Sequence, residues 1–352
     1  MIAAAALALA AASSLLMQTT VSTNEASYEA KRSQRDGIPV VRLSDAKNNT
    51  QVTVVPSLGN NAVEMLVNGK NALWFPFENL KDFRTKPSLA GVPLLAPWAN
   101  RLDEDGFWAN GKHYALDLGL KNIRADGNKQ PIHGLLAFAT EWEVMEAKAD
   151  AKGAEVTSRL EFWRYPDYMA QFPFAHTLYM THRLENGVLE VKTVIENLST
   201  DPMPVSVGFH PYFKIHDAPR DQWTVRLPAT EQVVLSPKLV PTGEYKPMPY
   251  KDNMSLAGVA LDDVFTNLVR GENGRSEFSV SGAKQKIAVA FGSNYRVSVV
   301  YAPPGRDFIC FEPMSGPTNA FNLNHAGKYP NLQTIAPRGK WESSFWIRAE
   351  NF

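Results

Sequence analysis

The 352-residue chain contains a single cysteine, Cys310. That count excludes an internal disulfide, a CxxC redox pair and a thiolate zinc site, so the fold must hold by packing alone. An excess of charge is also missing, because 36 lysines and arginines balance 36 aspartates and glutamates. No net positive field gathers nucleic-acid phosphates or anionic lipid, which argues against either as a partner. The seven histidines (His113, His133, His176, His182, His210, His216 and His325) include no His-Glu-x-x-His or His-x-His pair, and no carboxylate run has calcium-loop spacing. A bound metal is not expected. There is no Gly-x-Ser-x-Gly elbow and no glycine-rich phosphate loop between a strand and a helix. Cys310, inside the apolar run 308–311, reads as an inert core residue rather than a nucleophile.

What the chain does have is apolar material, 44% of its residues, enough at this length to bury about three quarters of the unfolded surface. Wholesale disorder is excluded. Residues 2–17 form an uncharged, alanine-rich apolar run followed by a polar stretch, too short to span a bilayer comfortably and shaped like a secretory signal, although Met1 is followed by no lysine or arginine. This predicts a leader over 1–26 and export to the periplasm or medium, with retention in the cytoplasm as the alternative. No membrane partner is expected once the leader is removed.

Long helical periodicity is absent after the leader, whereas strand signals recur. Four Asn-Gly pairs, at 68–69, 110–111, 186–187 and 273–274, predict tight turns, because both residues of the favoured hairpin turn need positive φ. After the third, Leu189, Val191, Thr193 and Ile195 alternate with Glu190, Lys192 and Glu196, the period of a half-buried strand. Similar runs occur at 51–55, 159–163, 175–182, 223–227, 287–291, 297–301, 308–311 and 343–348. With 24 prolines and 22 glycines as punctuation, no internal repeat and no low-complexity linker, the reading is all-β: one large antiparallel β-sandwich domain over about 36–352.

Polar residues embedded in apolar strand ends are the candidates for chemistry. They are Asn100 and Arg101 after Ala96-Pro97-Trp98-Ala99, His133 in Pro131-Ile132-His133-Gly134, His210 in Gly208-Phe209-His210-Pro211-Tyr212-Phe213, and Glu312 between Phe311 and Pro313. Singly, each has an ordinary explanation as a satisfied core histidine or a surface ion pair.

Together with Phe172-Pro173-Phe174 and Leu261-Asp262-Asp263-Val264-Phe265, these segments occur in the order of the aldose 1-epimerase (galactose mutarotase) family, which the chain resembles from about residue 50 to 350. The resemblance implies a β-supersandwich with an open sugar cleft and a cofactor-independent isomerase of free aldoses such as galactose or glucose. It implies Glu312 as general base, His210 as general acid, Arg101, His133 and Asp262 as ligands orienting the sugar hydroxyls, and Asn100 as support for Arg101. Two departures bear on sugar specificity: Asp263 stands where the best-known members have a histidine, and the family's His-Gly-Gly is here His133-Gly134-Leu135.

The chemistry fits those residue types. Anomer interconversion needs one base for the anomeric hydroxyl and one acid for the ring oxygen, and a carboxylate beside an imidazole supplies both. A carboxylate near a cation and an imidazole near an anion predict a lowered Glu312 pKa and a raised His210 pKa. Three other readings compete. A hexose 6-phosphate mutarotase would want a basic cluster, for which Lys214 is a candidate. A non-catalytic carbohydrate-binding domain would stack sugar on Trp98, Trp108 or Tyr212. A glycoside hydrolase would pair Glu312 with Asp262.

Overall fold

The computed structural model describes residues 27–352, so the leader expected over 1–26 lies outside the described residues. Three antiparallel sheets carry the architecture. Strands Tyr28–Arg35, Ile38–Asp45, Thr50–Val55, Asn61–Val67 and Lys70–Asn71 form a five-stranded sheet in sequence order. It begins upstream of the expected residue 36 and packs against strands Ala154–Glu161 and His176–Glu185 of a nine-stranded sheet. An eight-stranded sheet, which includes Leu261–Leu268, Val297–Ala302 and Ile309–Met314, also packs against the nine-stranded sheet. The main core lies between these two large sheets, where Phe278 meets Phe311 at 5.9 Å between ring centroids and Phe209 meets Phe345 at 4.8 Å. This is the all-β sandwich that the alternating runs predict. Among the described residues the three α-helices, Leu80–Thr85, Pro166–Gln171 and Ala320–His325, have six residues each.

Turn chemistry explains much of the register. At Asn68-Gly69, Asn110-Gly111 and Asn186-Gly187 both residues have positive φ, and each pair joins adjacent antiparallel strands as a two-residue turn. Asn273-Gly274 behaves differently. Only Gly274 has positive φ, and the pair lies in a crossover from Leu261–Leu268 in the eight-stranded sheet to Ser276–Ser281 in the nine-stranded sheet. In strand Val188–Asn197, Leu189, Val191, Thr193 and Ile195 are all fully buried.

Strand His176–Glu185 carries a buried histidine with no hydrogen-bond partner for either ring nitrogen, His182. Burial alone pushes its pKa down to about 3. Between that value and the ordinary one near 6.5, the unfolded chain binds a proton that the folded chain refuses, so stability is full above about pH 6.5 and falls as pH drops toward 3. His182→Leu, similar in volume, is expected to lose less stability on acidification. Urea unfolding midpoints of the two proteins, converted to free energy, should diverge by about 1.4 kcal/mol per pH unit below about pH 6. Parallel curves would show that His182 is not acid-labile.

Candidate active site

Alternation along three neighbouring strands sets the site on one face of the eight-stranded sheet. Asp262 pairs with Tyr301, Tyr301 with Cys310, and Cys310 with Tyr212, so these four residues form a row across the strands. Glu312, two residues beyond Cys310, points to the same side. Asp263 pairs with Val300, which pairs with Phe311, and both of those partners belong to the main core on the opposite face. The Asp263 carboxylate accepts hydrogen bonds there from Gln232 and Tyr250. The aspartate that replaces the family's histidine therefore does not line the cleft.

Loops bring the remaining groups over this row. Asn100 and His133 both adopt left-handed backbone, at φ 59° and 64°, and the two segments are laced together. The His133 amide donates to the Asn100 carbonyl at 2.9 Å, and the Leu102 amide to the Pro131 carbonyl at 2.9 Å. Gly134 fits only as glycine, because at φ 60° a Cβ would stand 2.2 Å from the Ala96 carbonyl oxygen. Leu135 lines a neighbouring cavity with Arg124 and Phe138 and is not among the residues lining the cleft. His210 follows strand Gly208–Phe209, and its amide donates to Pro93.

The result is a cleft of about 230 Å3 lined by Asn100, Arg101, Ile132, His133, His210, Tyr212, Asp262, Tyr301, Glu312 and Leu89. All six residues singled out from the sequence meet here. At its floor His210 Nε2 lies 3.4 Å from Glu312 Oε1, with Glu312 only 1% exposed. His210 stacks on Tyr212 with centroids 4.6 Å apart and meets His133 edge-on at 5.5 Å. Glu312 Oε2, His210 Nδ1 and His133 Nδ1 are buried without a protein hydrogen-bond partner, an expensive condition that a bound hydroxyl would relieve. Arg101 donates from Nη1 to Asn100 Oδ1 at 3.1 Å and from Nε to Asp126 Oδ2 at 2.7 Å, leaving Nη2 4.0 Å from Asp262.

Burial governs the charges. It pushes the Glu312 carboxyl well above the usual carboxylate range, with the charge of Asp262 adding and Arg101 opposing. It pushes His210 down to about 3, aided by the cations Arg124 and Arg101, and lowers His133 well below its ordinary value. These directions reverse the expectation from the ion pair alone, because desolvation outweighs the attraction between the partners. Both directions favour a proton on the carboxyl over one on the imidazole.

The profile of the aldose 1-epimerase family matches residues 39–348. The chain belongs to the aldose 1-epimerase family. Its fold is also that of a galactose mutarotase-like protein from Clostridium acetobutylicum, with a TM-score of 0.82 at 21% identity over 93% of this chain and 99% of the other. A galactose 1-epimerase from Lactobacillus acidophilus NCFM superposes with a TM-score of 0.68 at 17% identity, covering 93% and 99% of the two chains. YihR, an uncharacterized protein of Escherichia coli K12, is 26% identical over 235 residues, 65% of this chain and 71% of its own.

As a member of the aldose 1-epimerase family, the chain is an epimerase acting on sugar. Sequence reasoning missed Asp126, Tyr301, Leu89 and Ile132. Asp126 sits in an Asp-Gly-Asn stretch that reads as a plain turn, and the other three lie in apolar runs that carry no chemical signal. Of the aromatic residues considered for stacking, Trp98 is fully buried and Trp108 stacks on His325 at 3.8 Å; only Tyr212 lines the cleft. Lys214 is engaged by Asp307 at 2.5 Å and lies outside the cleft. Among the described residues no three histidine, cysteine or carboxylate side chains cluster as a metal-ligand set.

Proposed function

We propose that the protein interconverts the α and β anomers of a free aldohexose by general acid–base ring opening. Glu312 takes the proton of the anomeric hydroxyl while His210 protonates the ring oxygen; the C1–O5 bond breaks, C1 becomes an aldehyde, and rotation about C1–C2 precedes reclosure from the other face. The two residues exchange roles on closure. Arg101, His133 and Asp262 orient the sugar hydroxyls, and Asn100 holds Arg101.

The observation that carries this reading is the buried 3.4 Å contact between His210 and Glu312 at the floor of a polar cleft. A pair sharing one proton is a donor and an acceptor at once, which is what ring opening needs. Moving that proton from Glu312 to His210 produces the reactive form; the Arg101 charge favours the Glu312 carboxylate and opposes the His210 imidazolium. General acid–base catalysis of this kind contributes about 10²- to 10⁴-fold. A binding module would need no such pair, and Lys214, the cation suggested for a sugar phosphate, pairs with Asp307 outside the cleft lining.

Polarimetry of freshly dissolved α-glucose and α-galactose tests the proposal. Optical rotation should relax faster in proportion to enzyme concentration. Rates equal to buffer with both sugars, alongside measurable sugar binding, would favour the binding module. For location, the proposal is export: protein from the native host should begin between about residues 18 and 30. An intact Met1 on cytosolic protein, seen by mass spectrometry, would overturn it.

A further inference from the structure

Arg101 is fixed from behind by a residue outside the cleft lining. Its Nε donates to Asp126 Oδ2 at 2.7 Å, with the two side chains only 14% and 9% exposed. The other carboxylate oxygen, Oδ1, accepts from the amides of Asn128 at 2.8 Å and Gln130 at 2.9 Å. The Asp126 backbone closes the same turn, its amide donating to the Gln130 carbonyl and its carbonyl accepting from Lys129, both at 3.0 Å. That turn joins Arg124–Ala125 to Pro131–Ile132, and Arg101 bridges to Ile132. One carboxylate therefore braces the loop that ends at His133 and grips the inner edge of the guanidinium.

A planar guanidinium has a fixed fork of donors, so binding one edge decides where the others point. With Nε held by Asp126 and Nη1 by Asn100, the Nη2 edge is left toward Asp262 and the cleft. We infer that Asp126 is a positioning residue for sugar recognition, which acts by aiming the Nη2 edge of Arg101 at the substrate hydroxyls. The inference rests on the assignment of Arg101 to sugar binding. Asp126 also stays ionised: partial burial works against it, but the hydrogen bonds from Gln130, Arg101 and Asn128 hold its carboxyl below the usual range.

Asp126→Asn separates the two tasks, since its amide oxygen can still accept from the loop amides while its nitrogen cannot accept from Arg101 Nε. Mutarotation kinetics should show KM raised about tenfold with kcat within about threefold, the signature of weakened orientation rather than lost chemistry. Arg101→Lys, which has no matching edge, should raise KM similarly, and the double variant should be no worse than Arg101→Lys alone. Wild-type KM in Asp126→Asn beside a raised KM in Arg101→Lys would overturn the inference, as would effects that multiply in the double variant. Unchanged KM in Arg101→Lys would instead overturn the assignment of Arg101. Should Asp126→Asn not fold, Asp126→Ser keeps one acceptor for the turn and carries the same expectation and the same refutation.

Discussion

Glu312→Gln is expected to reduce the mutarotation rate by at least about 100-fold, because it removes a proton-transfer partner while keeping the shape of the side chain. His210→Asn should match it in size. The two variants should also resemble each other in stability. Glu312 and His210 are both buried with unpartnered polar atoms, and each replacement exchanges one polar side chain for another of similar shape, so the packing of the site stays intact. The double variant should be little worse than either single one, since a pair that passes one proton fails as a unit. Stopped polarimetry with galactose and glucose measures the rates, and thermal melts measure the folded fraction. Near-normal rates in either single variant would remove that residue from the mechanism.

The second large effect is on pH dependence. If the active form holds one proton on the pair, kcat/KM falls at low pH when a second proton arrives and at high pH when the only proton leaves. Burial assigns these limbs in an unusual way. The second proton must go to His210, whose pKa is pushed down to about 3, and the last proton leaves Glu312, which burial holds well above the carboxylate range. Activity should therefore show no acidic limb between about pH 7 and 5, where an unperturbed histidine would charge. The upper limb should survive in the residual activity of His210→Asn and vanish in Glu312→Gln. Nitrogen NMR of the imidazole at pH 6 offers a direct check, with His210 expected neutral. An imidazolium signal there would place the proton on His210 and reverse the limbs.

The strands and five of the six site residues were legible from local pattern, for identifiable reasons, whereas Asp262 came only with the family resemblance. Period-two alternation at Leu189–Ile195 exists because one face of that strand is buried, and three Asn-Gly pairs turn where they do because both residues must take positive φ. Asn273-Gly274 carries the same dipeptide into a crossover, since the flanking strands bury their faces in different sheets. The run 159–163 stops as a strand at Glu161 and coils into a short turn before Pro166. Asp126 was invisible because its role depends on Arg101, 25 residues away. The direction of the pKa shifts is hidden for a related reason: Glu312 beside His210 reads as an ion pair, and only depth of burial turns both shifts toward the uncharged forms.

Strand Lys340–Glu350 lies in the middle of the nine-stranded sheet, hydrogen-bonded to Val188–Asn197 on one side and to Lys286–Phe291 on the other. During synthesis those neighbours leave the ribosome long before their shared partner does. Until Lys340–Glu350 emerges, the strands on its two sides have open edges, each a template for pairing with another chain. Loop closure across about 150 residues makes that last insertion slow. The nascent protein is thus exposed to aggregation until this strand emerges, and chaperones that shield strand edges would act on it in that interval.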